Sequence, residues 1–292
     1  MSWFLAVSTS FGVVPAALIG AASGLHIATW GMYKDALYEG FSARKYCRSV
    51  IVGAGSAVLI QLLMRFDPGT PGDAVLLFAL AYVLERALVE WHKTFIREED
   101  QSKYFIPMQF AVAGRVVSSR RVRAAAGIGC ATAVALVVLG LGWLEPAGTA
   151  VFPLGMVLVV GSIGGWISAF GGAWKDAPKE GFQLLKFFRS PALATAYGLV
   201  LSSFTTSYLA VAFGALGLTI ATIETHKKFG SPLEAPGKFT GKPMRFPEML
   251  RVRRRFVPVF AALWIALLAT LLAALFDAPG GLLASIALAE VR

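Results

Sequence analysis

Residues Tyr33–Ser49 read YKDALYEGFSARKYCRS, and Trp174–Ser190 read WKDAPKEGFQLLKFFRS. Nine of the seventeen positions are identical at a constant spacing of 141 residues, where chance at ordinary residue frequencies gives about one match. A second pair of segments repeats further on. Glu90-Trp91-His92-Lys93-Thr94-Phe95 parallels Glu224-Thr225-His226-Lys227-Lys228-Phe229, and Pro107-Met108-Gln109-Phe110 parallels Pro243-Met244-Arg245-Phe246. The spacing drifts as loop-length changes between old duplicates would make it drift. The chain therefore reads as a tandem duplication, with residues 1–143 as one unit and 144–292 as the other.

Between these charged segments the chain is apolar. Of its residues 57% are hydrophobic and 15% charged, with a mean hydropathy of +0.67, whereas a soluble domain is about 25% charged. Apolar segments fall at about 8–30, 50–65, 74–91, 124–143, 151–173, 191–205, 207–223 and 256–276. Their length suits a hydrocarbon layer about 30 Å thick, and they lack the period-two alternation of a membrane barrel. The expected fold is an all-α polytopic membrane protein of about eight transmembrane helices, arranged as two four-helix repeats. Four spans per repeat is an even number, so the repeats share one orientation and are expected to be related by a pseudo-twofold axis along the membrane normal. The second and sixth segments are short for a span. The last stretch, 278–292, is too short to cross and reads as an interfacial segment.

The net charge is +10. Segments 31–49, 92–123, 174–190 and 224–255 carry 24 of the 27 Lys and Arg. That distribution is the positive-inside pattern, so it places four basic segments in the cytoplasm. The turns at Asp67–Asp73, Glu145–Thr149 and Ser203–Ser207, and both termini, are expected outside. The setting expected is a bacterial-type inner (plasma) membrane. The basic segments suit anionic lipid headgroups, not nucleic acid. No cleavable signal peptide is evident at the start. Cys47 and Cys130 lack metal-ligand spacing and read as small apolar fillers.

The duplicated polar residues are the candidate site. Asp35 and Glu39, with Asp176 and Glu180, stand at i and i+4 and share a face if helical. Two such pairs facing one another would form a four-carboxylate cluster suited to Mg²⁺ bridging a substrate phosphate. Glu90, His92, Glu224 and His226 are further metal-ligand candidates. Lys34, Arg48, Lys93, Lys175, Arg189 and Lys227 are the candidates for holding a phosphate or lipid headgroup. The alternative is structural. Asp176 caps and Pro178 opens a helix, Gly40 and Gly181 break a turn, and the basic side chains anchor connectors to headgroups. His26 stands alone and reads as a packing histidine. Glu85 and Arg86 lie inside the third apolar segment, where charge is costly and needs a partner. The segment Gly161–Trp174 is glycine-rich and suits close helix approach. It is not a dinucleotide fingerprint, and Pro236–Pro243 lacks P-loop spacing. No haem motif is present.

The paired motifs resemble the two DxxxD-like motifs of intramembrane prenyltransferases of the UbiA type, which also lie on the cytosolic side of two helical halves. Here both read DxxxE, and glycine (Gly31, Gly172) stands where the family has a preceding asparagine. The likeness covers two short motifs and the architecture, and it implies a prenyl diphosphate as substrate. Three readings stay open. The first is an enzyme or binding protein for an amphipathic phosphorylated substrate at the cytosolic interface. The others are a transporter of parallel repeats and a non-catalytic scaffold or complex subunit. Oligomeric state is not readable from the sequence.

Overall fold

The duplicated charged stretch turns out to be the end of one helix and the start of the next. In the computed structural model, which describes residues 2–145, 153–230, 232–277 and 280–283, helix α1 (Ser2–Glu39) runs unbroken for 38 residues. At 1.5 Å per residue that is about 57 Å, much longer than a hydrocarbon layer. The final turns carrying Lys34, Asp35 and Glu39 therefore project beyond the apolar span. Gly40 then adopts φ +71°, and its N–H donates to the Ala36 carbonyl. This left-handed cap favours glycine because it has no Cβ. Ser42 accepts from the Lys45 N–H and starts α2 (Ala43–Met64). Helix α5 (Pro153–Glu180) ends in the same way at Gly181, φ +80°, before α6 (Leu184–Leu201).

Pro178 does not open a helix, and Asp176 does not cap one: both lie inside the last turns of α5. The helix reaches them from its N-terminal side, so Pro178 removes only one late N–H donor. The second and sixth apolar segments also sit in helices of 22 and 18 residues, because the charged stretch lends each its first turns.

The remaining helices are α3 (Pro71–Trp91), α4 (Arg120–Leu144), α7 (Tyr208–Thr225), the single turn α8 (Met249–Val252) and α9 (Val257–Phe276), the last two joined by a 3₁₀ turn at Arg253–Phe256. Each of the eight apolar segments lies mainly within a helix. Among the described residues six stretches are long and apolar enough to cross a membrane: Gly12–Glu39, Ala43–Met64, Arg120–Leu144, Leu154–Glu180, Tyr208–Thr225 and Met249–Phe276. That fits an all-α integral membrane protein. Helices α3 and α6 fall outside this set. Helix α3 carries Asp73, Glu85, Arg86 and Glu90, and α6 carries Lys186 and Arg189.

Helices α3 and α7 form the centre. Val75–Tyr82 of α3 and most of Tyr208–Ala221 of α7 are buried. They cross closely, since a Cβ built on Gly217 would lie 2.1 Å from the Ala79 carbonyl oxygen. Small residues set the other close contacts as well. Added Cβ atoms at Gly24 and Gly165, which correspond in the repeat, would meet the Ser49 and Ser190 carbonyls at 2.1 and 2.6 Å. These contacts lock α1 to α2 and α5 to α6. Helix α9 packs on α3 and α1, while α4 packs on α7. The outer faces of α4 and α9 leave Leu139, Trp143, Ile265 and Phe276 exposed, an apolar surface that suits lipid contact.

The helix pairs are joined by two long loops, each entered through a π turn, at His92–Ile96 and His226–Gly230. The first loop contains a small hairpin, β1 (Ala111–Val112) with β2 (Arg115–Val116). Ala113 and Gly114 at its tip both have positive φ, as a two-residue type I′ turn requires. The turn beginning at Glu145 lies mostly outside the described residues, as does the expected interfacial segment from 284 onward. Before that point, the N–H groups of Gly281, Leu282 and Leu283 donate to the Ser203, Thr205 and Ser202 carbonyls.

Candidate functional site

The last turns of α1 meet the two long loops, which supply Lys238 and Tyr104 to its carboxylates. Asp35 and Glu39 share one face of α1, and both accept from the Lys238 ammonium, at 2.8 and 3.2 Å. Lys45 donates to Glu39 at 2.8 Å, and the Tyr104 hydroxyl donates to it at 3.4 Å. Lys238 also lies over the rings of Tyr104 and Phe239. Burial opposes charge on this lysine, but Asp35 and Glu39 outweigh it and hold its affinity for a proton above the usual lysine range.

Asp176 and Glu180 share a face of α5 in the same way. Their partner is Lys186, at 3.2 and 2.7 Å. The short 3₁₀ turn Gly237–Phe239 links the two pairs. It sets Lys238 on Asp35 and Glu39, and its Gly237 lies so close to Glu180 that an added Cβ would stand 2.6 Å from Oε1. The two DxxxE pairs therefore flank one turn, with lysines where a metal was expected. Among the described residues no three His, Cys, Asp or Glu side chains are placed to hold a metal ion. His92 and His226 are exposed on their π turns.

The second repeated cluster joins the two halves. Lys34 pairs with Glu224 at 3.5 Å. Glu90 accepts from Arg86 and, at 2.9 Å, from Lys93, and it lies within electrostatic reach of Lys175. Burial pushes the Lys93 ammonium down to about 8, although Glu90 pulls the other way. Deeper still, Glu85 is fully buried with Arg86 at 3.8 Å, and neither of its oxygens has a hydrogen-bond partner. His26 is fully buried and stacks on Phe260 with its Nδ1 3.3 Å from the Tyr82 hydroxyl.

The surroundings of the two duplicated charged segments differ. Between α5, α6 and α7 lies a cavity of about 130 Å³, whose lining includes Asp176, Lys186, Arg189, Ser190, Glu224 and Lys227. The Arg189 Nε is buried with no hydrogen-bond partner among the described residues. Phe182 and Gln183 line the same cavity and are exposed, so it reaches the surface beside the apolar ring of Phe182, itself 60% exposed. At the matching place in the first half, Met32 stands where the second half has Ala173. Met32 is buried against Tyr104, Phe239 and Met249, and Lys238 reaches the carboxylates. Arg48, the counterpart of Arg189, is exposed.

Sequence reasoning did not single out Lys45 and Lys186, although they are among the nine identities. It also passed over Lys238, whose signal was faint: Lys238-Phe239 and Lys103-Tyr104 are both Lys-aromatic pairs in the long loops. The two lysines behave differently, because Lys103 is 4.0 Å from Glu99 and 42% exposed. Comparison of the chain with protein-family models, curated proteins and solved structures finds no match.

Proposed function

We propose that this protein binds the phosphorylated end of an amphipathic molecule, a lipid or prenyl phosphate, in the cavity between α5, α6 and α7 at the cytosolic face of the membrane. The observation that carries this reading is the buried Arg189 Nε without a hydrogen-bond partner among the described residues, set beside Lys186 and Lys227 in a cavity that reaches the surface beside the exposed ring of Phe182. Guanidinium and ammonium groups hold phosphate oxygens through charge-assisted hydrogen bonds. The volume of about 130 Å³ is small against the roughly 300–1,000 Å³ of whole-ligand pockets. It suits a polar head whose chain stays in lipid. The carboxylates are held by lysines, so this reading uses Lys and Arg to hold the phosphate and needs no Mg²⁺. Transport along the α3–α7 seam is disfavoured by its packing, since backbone meets backbone at Gly217.

The test is binding of dihexanoyl phosphatidic acid to the purified protein in detergent. Arg189→Gln is expected to weaken it about tenfold or more, a charge-assisted hydrogen bond being worth roughly 1.5–3 kcal/mol. Arg48→Gln is expected to leave it unchanged. Equal behaviour of the two variants sinks the reading.

The membrane arrangement belongs to the same proposal. All eight long helices cross, with α3 and α6 shielded by their neighbours, as two parallel repeats with the long loops in the cytoplasm. In a Cys47→Ser, Cys130→Ser background, cysteines placed at Asp73 and Glu145 are expected to react with an impermeant thiol reagent from outside. One placed at Thr240 is expected to react only after the membrane is opened. The opposite labelling pattern would overturn the topology.

A further inference from the structure

The two DxxxE pairs are served unequally, and the difference points to the chemistry of the ligand. In the first half two ammonium groups meet two carboxylates, with Lys45 on Glu39 and Lys238 bridging Asp35 and Glu39. In the second half Lys186, the counterpart of Lys45, is the one ammonium within ion-pair distance of Asp176 or Glu180 among the described residues. Lys103, which also precedes an aromatic residue in a long loop, turns to Glu99 instead. A cavity lies against Asp176 there, with Glu224 also in its lining. The same cavity holds Arg189, Lys186 and Lys227, so its lining carries both signs of charge. A ligand bearing only a phosphate would use the cationic groups and set its negative charge near Asp176. A zwitterionic head uses both.

We infer that the bound head carries a primary ammonium beside its phosphate, the ammonium taking against Asp176 the place that Lys238 takes against Asp35. The phosphate lies on Arg189 and Lys227, and the amine lies on the carboxylate side of the cavity. A primary amine fits because the group it replaces is a lysine ammonium, whose N–H bonds reach the carboxylates at 2.8 and 3.2 Å. This inference rests on the phosphate reading above.

Two lipids of nearly equal size separate the contributions: dihexanoyl phosphatidylethanolamine and dihexanoyl phosphatidylpropanol, in which a methyl replaces the ammonium. The purified protein is expected to bind the ethanolamine ester about tenfold more tightly or better. This comparison needs no mutation, so it stands even if a variant fails to fold. In Asp176→Asn the preference is expected to collapse toward one. Equal binding of the two esters by the unaltered protein overturns the inference and leaves the phosphate reading standing. Binding of neither ester removes both. A third probe is free O-phosphoethanolamine: if it binds as tightly as the lipid, the amine inference holds and the amphipathic ligand is wrong.

Discussion

Lys238→Met is expected to lower the stability of the purified protein by about 2–3 kcal/mol, although Lys238 sits in a loop without long helices. Its ammonium is the shared partner of Asp35 and Glu39, which retain 25% and 22% exposure. Removing one partner of a fully buried ion pair costs about 3–5 kcal/mol, because the remaining charge is left without compensation. Partial exposure moves this case below that range. Methionine keeps most of the stem volume against Tyr104 and Phe239, so the loss reports the charge more than the packing. Lys103→Met, the same change at the lysine before Tyr104 in the other long loop, is expected to cost under about 1 kcal/mol, since its contact with Glu99 is long and exposed. Denaturant midpoints of the two variants check the contrast. Equal small losses would show that Lys238 is a surface lysine in solution and that the first half is not closed by it.

Gly217→Ala is expected to cost about 3 kcal/mol or more and to be among the most disruptive single-methyl changes in the chain. The added Cβ would stand 2.1 Å from the Ala79 carbonyl oxygen, with the Ala79 carbonyl carbon at 2.9 Å. A rotamer change cannot relieve this, because the obstacle is backbone on both sides. Helices α3 and α7 would have to separate, disturbing a core that includes the fully buried Leu76, Leu77 and Ala215. Overpacking a dense core costs typically 1–3 kcal/mol and occasionally more. The control is Gly129→Ala on α4, where nothing lies within 4 Å of the new Cβ, and where helix propensity favours alanine by up to about 1 kcal/mol. Loss of stability only at Gly217, read from thermal unfolding in detergent, supports the close crossing. Similar behaviour at the two sites contradicts it.

By itself the sequence determined the helical membrane class, because long apolar segments with few charges have few other stable forms. Its duplicated segments carry polar residues that the structure brings into contact: Lys238 of one turn meets Asp35 and Glu39 while Gly237 lies against Glu180, and Lys34 meets Glu224. The glycines at 40 and 181 announced the helix ends, since a left-handed cap leaves a local signature. Other features were not legible. The helical continuation of α5 through the charged stretch was hidden by Pro178, which reads locally as a helix start. Tertiary structure alone decided which lysine serves which carboxylate. Lys103 and Lys238 look alike in sequence, yet one lies 4.0 Å from Glu99 and the other sits 2.8 Å from Asp35. The choice depends on where each long loop comes to rest, and that is set by contacts hundreds of residues apart, not by local propensity. The same holds for the cavity. Ala173, where the first half has Met32, is a shorter side chain in its lining, and the cavity appears only once α5, α6 and α7 are packed together.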